Sequence, residues 1–300
     1  MSKQTNRKLV VGISSRALFN LEKENQIFED MGLKEYKKYQ LEHENEELEK
    51  GPGFPLIEAL LKMDEKLDDF DVEVMIISRN DPQTGLRVFN SIEYYGLNIT
   101  RAAFTGGEPA TQYLKAYNID LFLSRSRDDV QDAINMGFAA GLLYDHQNDS
   151  YDYQIDQIRI AFDGDSVIFS DEAEKVYQEQ GLCEFHRSEK EKENIPLQEG
   201  PFCQVLKKLS LIKEQETREQ QYIRIAIVTA RSCPAHKRPI ITLRKWNALV
   251  DEIFYMGGLT KKEVLKQFNP HIFFDDQDKH LREASEYVPS VWVPYCNKKQ

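Results

Sequence analysis

Asp163 and Asp165 stand two residues apart, with Gly164 between them, where an apolar run at 158–162 ends. The glycine lets the backbone come close to a bound group. A second apolar run ends in Val228-Thr229-Ala230-Arg231-Ser232, which supplies a hydroxyl and a cation. A third ends in Phe273-Phe274-Asp275-Asp276-Gln277, and upstream of it lies Gly257-Gly258-Leu259-Thr260-Lys261-Lys262. Each feature alone is ordinary: a surface turn, a helix cap, a solvated pair of aspartates. Their order, each after or beside an apolar run, is the specific signal. Four carboxylates gathered in one place cannot all stay ionised without a counter-charge. Either some protonate or a hard cation joins them, and magnesium shared between a few carboxylates and a substrate phosphate is the usual solution.

Parallel strands would bring these ends together. The apolar runs at 158–162, 223–228 and 272–274 alternate with helical patterns such as 54–66 and 202–211. That alternation predicts parallel sheets covered by helices, with ligands beyond the carboxyl ends of the strands. The fold class expected is α/β.

The same pattern occurs twice. Gly32-Leu33, Glu44-Asn45 and Gly51-Pro52 recur as Gly181-Leu182, Glu193-Asn194 and Gly200-Pro201, all at an offset of 149. Gly106-Gly107, Leu114-Lys115, Asn118 and Tyr144 recur as Gly257-Gly258, Leu265-Lys266, Asn269 and Tyr295 at an offset of 151. A self-match held over such a span predicts a tandem duplication, with 1–150 and 151–300 sharing a fold. At those offsets Asp163, Asp165, Thr229, Lys261, Asp275 and Asp276 fall on Ser14, Arg16, Ser78, Ala110, Ser124 and Arg125. The first half should keep the fold and lack the chemistry. Its Ser14, Ser15, Arg16, Ser78, Arg79, Asn80, Ser124 and Arg125 could bind an anion, cap helices or pack against the second half.

Composition narrows the classes. The 300 residues suggest two domains, and 41% hydrophobic residues with 16 Phe and 14 Tyr suffice for a packed core. Lys plus Arg is 39 against 50 Asp plus Glu, a net charge of −11, which argues against a nucleic-acid polymer as partner. No stretch approaches the roughly 20 apolar residues of a membrane span, and the run at 9–13 is too short for a secretory signal. Cys183, Cys203, Cys233 and Cys296 form no close pair, which predicts reduced thiols and a cytoplasmic location.

The order DxD, Thr, Lys, Asp-Asp resembles the haloacid-dehalogenase-like (HAD) phosphatases. The stretch from Ala161 to Glu172, AFDGDSVIFSDE, is more closely similar to the cytosolic 5′-nucleotidase I family. So are Leu41-Glu42-His43-Glu44-Asn45, Ser14-Ser15-Arg16-Ala17-Leu18-Phe19, Val228-Thr229-Ala230-Arg231-Ser232 and Pro270-His271-Ile272-Phe273-Phe274-Asp275-Asp276-Gln277. The resemblance covers nearly the whole chain. It departs at the lysine motif, where the family often has Pro-Lys-Gly and this chain has Thr260-Lys261-Lys262, and at Cys296, where glycine is expected.

The resemblance implies two tandem HAD-like (Rossmannoid) parallel-sheet units with helical cap insertions, residues 1–150 degenerate and 151–300 catalytic. It implies magnesium-dependent hydrolysis of nucleoside 5′-monophosphates. Asp163 would be the nucleophile, forming an aspartyl-phosphate. Asp165 would be the acid and base, its pKa raised by neighbouring carboxylates. Thr229 and Lys261 would hold the phosphate. Mg2+ would sit on Asp163, the backbone carbonyl of Asp165, and Asp275, with Asp276 supporting it from behind these ligands or through water. Gly164, Ala230, Arg231, Ser232 and Asn194 would face the substrate. The cap is expected at about 170–220, between Val167 and Tyr222, holding Phe185, His186, Glu193, Asn194 and Phe202. An aromatic there could stack on a base or pack in a core. The charged run 187–193 reads as a solvated helical face. The matching insert of the first half holds His43, Glu44, Asn45 and Phe54. Closure over the site and a contact in a homo-oligomer both stay open for it. The alternatives are a HAD phosphatase for another small phosphate ester and a non-catalytic nucleotide-binding protein.

Overall fold

The computed structural model describes residues 7–145 and 157–297. The chain divides into two compact units, one of Lys8–Leu143 and one built from Tyr144 onward. The boundary expected at 150/151 lies outside the described residues. Both units are α/β.

The first unit contains β1 (Lys8–Ile13), β2 (Phe19–Asn20), β3 (Glu49–Lys50), β4 (Asp71–Ser78), β5 (Arg101–Phe104), β6 (Leu121–Ser124) and β7 (Ala139–Leu143). Its parallel sheet runs β5-β4-β1-β6-β7, while β2 and β3 form a small antiparallel pair. Strands buried on both faces need continuous apolar sequence rather than alternation. Val74, Met75, Ile76 and Ile77 meet that need, all essentially buried.

The second unit contains β8 (Ile158–Phe162), β9 (Ile223–Thr229), β10 (Glu252–Tyr255), β11 (Ile272–Asp275) and β12 (Ser290–Trp292). Its parallel sheet runs β10-β9-β8-β11-β12. In strand succession this is the order of the first unit. In each sheet the first long strand, β1 or β8, sits between neighbours that lie on opposite sides of it. That is the switch point at which open α/β sheets bind ligands.

The offsets read in the sequence recur in backbone detail. Gly32 lies between helices Glu22–Met31 and Leu33–Glu42 with φ 83°, and Gly181 breaks the helix Glu172–Glu191 with φ 80°. Ser14 N donates to Leu123 O at 2.9 Å, and Asp163 N donates to Phe274 O at 2.7 Å. Arg87 Nε donates to the carbonyl of Glu46, and Arg238 Nε to that of Ile195. Gly51 and Gly200 both lie against backbone. A Cβ on Gly200 would stand 2.4 Å from Phe169 O, and one on Gly51 2.7 Å from Phe19 C, so no larger residue fits at either turn.

The segment expected to be the cap divides. The helix Glu172–Glu191 is mostly solvent-facing, whereas Cys203–Lys213 buries Val205, Leu206, Leu209 and Ile212 beside β9. The segment expected as the cap, about 170–220, thus contains both helices. The apolar face of Cys203–Lys213 is a sheet-covering face. Phe202, just before it, packs against Phe162 and Phe274 with ring centroids 6.2 and 4.7 Å away.

Candidate active site

The carboxyl ends of β8, β9 and β11 converge. Asp163 follows β8, Thr229 ends β9 and Asp275 ends β11, and all three are buried. Gly164 is pressed against Thr229, where an added Cβ would stand 3.3 Å from the threonine side chain. Thr229 Oγ1 accepts from Arg231 N at 3.2 Å.

Lys261 lies at the start of the helix Lys262–Phe268 and is only 3% exposed. Its Nζ is 3.0 Å from Asp163 Oδ1 and donates to Asp275 Oδ2 at 2.7 Å. Lys262 points away, its Nζ 4.2 Å from the centre of the Tyr287 ring. The helix start places Lys261 toward the strand ends and Lys262 along the surface.

Asp163, Asp275 and Asp276 each offer an oxygen, and these atoms lie within 4.8 Å of one another. Asp276 Oδ2 accepts from Tyr295 OH, while its Oδ1 is buried without a hydrogen-bond partner among the described residues. His280 Nδ1 lies 3.3 Å from Asp275 Oδ2. Burial raises the Asp163 carboxyl to about 6, opposed by Lys261 and reinforced by Asp275 and Asp165. Burial, with Asp163 and Asp275, raises Asp276 to about 8. For Asp275 burial also works upward, but Lys261 and His280 together outweigh it and the net direction is down. Three carboxylates thus share one ammonium. An all-oxygen set with surplus negative charge and an unsatisfied oxygen fits a hard divalent cation.

This surplus has a sign that can be measured. The native Asp276 carboxyl holds its proton more tightly than the unfolded one, whose value is near 3.8. The native state then carries extra proton through that window, and stability falls as pH rises through it. In EDTA, Asp276→Asn should gain stability relative to the parent chain between pH about 4 and about 8. Parallel melting curves for the two proteins across that range would contradict it.

Asp165 is placed differently. Its two oxygens accept from Arg231 Nε and Nη2, both at 2.7 Å. Its charged partner is therefore a guanidinium, where the sequence suggested neighbouring carboxylates. Arg231 is 3% exposed and stacks over Phe185 at 5.5 Å. Its other nitrogen reaches Glu189, which also accepts from Arg238 Nη1 at 2.7 Å; Arg238 Nη2 in turn donates to Glu172 at 2.9 Å. Burial works against the charge on Arg231, but Asp165 and Glu189 override it and hold the guanidinium above its usual range.

Glu189 corrects the reading of 187–193 as a solvated face, because it is 2% exposed. The run alternates: Arg187, Lys190 and Glu191 face water while Glu189 turns inward to two arginines. Removing one member of a buried ion cluster leaves uncompensated charge, which costs about 3–5 kcal/mol. Glu189→Ala should destabilise the protein by that amount in urea denaturation. A change below about 1 kcal/mol would show the cluster to be dispensable.

The remaining predicted residues are spread around this centre. Ala230 is exposed and Ser232 is half-buried after β9. Asn194 is exposed beyond the helix Glu172–Glu191. Phe185 packs with Ala173 and Ala235, and Phe202 is fully buried, so both serve the core. Sequence reasoning missed Glu189, Arg238, Tyr295 and His280. The repeat carried a signal for two of them, since Tyr295 pairs with Tyr144 and Arg238 with Arg87 at the offset of 151.

The sequence model of one protein family, 5′-nucleotidase, matches residues 1–300. The human protein named cytosolic 5′-nucleotidase 1B is 36% identical over 302 residues, covering 97% of this chain and 49% of its own length. The chain thus spans about half the length of that relative. A solved structure described as an S. aureus MnaA-UDP co-structure aligns over 93% of this chain and 76% of its own. Its identity is 10% and its TM-score 0.20, which carries no argument.

Proposed function

The chain belongs to the 5′-nucleotidase family, and on that footing we propose that it is a magnesium-dependent phosphomonoesterase releasing phosphate from nucleoside 5′-monophosphates. The observation that carries the reading is Lys261 held between Asp163 and Asp275 at the strand ends, with Asp276 completing a three-carboxylate cluster. A binding protein has no need of a buried nucleophile at that point.

In this reading Asp163 attacks the phosphorus in line and becomes an aspartyl-phosphate. Lys261 and the Thr229 hydroxyl hold phosphate oxygens, and the charge they supply is worth most in a site shielded from water. Asp165 gives a proton to the leaving 5′-oxygen and later takes one from the attacking water. Both its oxygens are held by Arg231, so that pair has to loosen before Asp165 can carry a proton. Asp163, Asp275, Asp276 and the backbone carbonyl of Asp165 would hold Mg2+, which when bound neutralises charge on the transferring phosphoryl group. Gly164, Ala230, Ser232 and Asn194 are the positions proposed to border the substrate, with Arg231 acting through Asp165.

We take the two units to be tandem HAD-like copies, 1–150 degenerate and 151–300 catalytic, with the helix Glu172–Glu191 as the core of the cap. The equal sheet orders and the hydrogen bonds repeated at 149 and 151 support this. A cytosolic setting is proposed from the relative's name. Among the described residues no helix is long and apolar enough to cross a membrane.

The test is phosphate release from AMP with magnesium and with excess EDTA, followed by a panel of ribo- and deoxynucleotides and a sugar phosphate. Release should need the cation and should favour nucleoside 5′-monophosphates. Full activity in EDTA, or preference for the sugar phosphate, would refute the proposal.

A further inference from the structure

The first unit has a cavity of about 370 Å³ at the carboxyl ends of β1, β4 and β6, the counterpart of the carboxylate site in the second unit. That volume lies within the range of about 300–1,000 Å³ typical of small-molecule sites. Its floor has no carboxylate at the positions matching Asp163 and Asp275; Ser14 and Ser124 stand there. Arg16 matches Asp165, and Asn80 matches Arg231.

Three polar atoms at this floor are buried with no hydrogen-bond partner among the described residues: Ser14 Oγ, Arg16 Nε and Asn80 Nδ2. All three residues line the cavity, and each of these atoms can donate a hydrogen bond. Buried polar atoms are ordinarily paired, and leaving one unpaired is costly. Ser14 precedes the short helix Ser15–Leu18, yet its side chain makes no capping bond. Asn80 is fixed from behind, its Oδ1 accepting from Ser78 Oγ at 3.1 Å and Ser15 Oγ at 3.3 Å. Its amide nitrogen is therefore the end left over.

The charges have the matching sign. Arg16 and Arg125 share Glu22 at 2.9 and 3.2 Å, Arg79 pairs with Asp129, and Arg87 pairs with Glu24 at 2.7 Å. Arg16, Arg79 and Arg125 line the cavity, and Glu22, which engages two of them, is half exposed. The side wall is apolar, with Leu21, Phe28, Leu33 and Tyr36; Phe28 and Tyr36 meet edge to face at 5.9 Å.

We propose that this cavity is a second, non-hydrolytic binding site for a phosphate ester that carries a flat ring, the chemistry of a nucleotide. The phosphate sits on Ser14, Arg16 and Asn80, and the ring lies toward Phe28 and Tyr36. No transfer step follows, because the counterpart of the nucleophile is a serine and the unit offers no carboxylate cluster for a cation among its described residues.

The experiment uses the full chain carrying Asp163→Asn, in EDTA, titrated by calorimetry with AMP and separately with orthophosphate. AMP should bind at a site that Ser14→Asp, which puts negative charge against the phosphate, weakens roughly tenfold or more. Asn80→Ala, beyond the end of β4, should weaken the same site several-fold. Melting curves on both variants verify that each is folded. If orthophosphate binds there as tightly as AMP, the site is real and free phosphate is its ligand. If neither variant changes the titration with either ligand, the proposal is overturned.

Discussion

Replacing Asp163 with asparagine is expected to lower phosphate release from AMP by roughly 10⁴-fold or more, with the protein still folded. Asparagine keeps the shape of the side chain and replaces the anionic oxygen that would attack phosphorus with a neutral, far less nucleophilic amide. The nearby carboxyls are held in other roles, Asp276 accepting from Tyr295 and proposed to hold Mg2+. Asp275 is fully buried and tied to Lys261 and the Gln277 amide, and both oxygens of Asp165 are engaged by Arg231. The structural cost should be small. Lys261 loses the partner at 3.0 Å but retains Asp275 at 2.7 Å, and the three-carboxylate surplus is reduced. Melting of the metal-free variant should therefore stay close to that of the parent, within about 1 kcal/mol. Turnover within tenfold of the parent would remove Asp163 from the proposed role.

Much of this site was legible in the sequence because it lies where strands end. The runs that became β8, β9 and β11 are apolar on both faces, so their ends were easy to place, and Asp163, Thr229 and Asp275 came with them. The repeat was legible for a related reason. Gly200 recurs from Gly51 because backbone fills the space a side chain would need, and Gly181 from Gly32 because both adopt a positive φ.

What stayed hidden depends on partners distant in sequence. Asp165 meets Arg231 across 66 residues, and Arg231 meets Glu189 across 42. No local pattern marks Glu189 as the inward member of a charged run. Only the resemblance favoured Lys261 over the adjacent Lys262, and the start of the helix Lys262–Phe268 gives the two their different directions. One helix of the segment expected as the cap, Cys203–Lys213, turns its apolar stripe toward the sheet, and a stripe does not name what it will cover.

Lys261→Met separates the charge role of this lysine from its proposed phosphate-binding role. The ammonium is buried, yet Asp163 and Asp275 overcome the cost of burial and hold it above its usual range. Methionine fills the space over Phe273 without charge and takes the ammonium away from Asp163, Asp275 and Asp276. Breaking such a buried pair costs about 3–5 kcal/mol. All three carboxyls should then hold protons more tightly in the native state, so in EDTA the variant should lose stability with rising pH more steeply than the parent. Magnesium supplies the missing positive charge and should restore most of that stability. It cannot supply the donor that Lys261 offers to a phosphate oxygen, so turnover should stay about 10³-fold down even with magnesium, the scale seen when a single charge-stabilising donor is removed. Lys262→Met, on the surface beside Tyr287, should leave both readouts within about twofold of the parent. If magnesium restored turnover together with stability, Lys261 would be a structural counter-ion only, and the phosphate would have to be held by Thr229 and the metal.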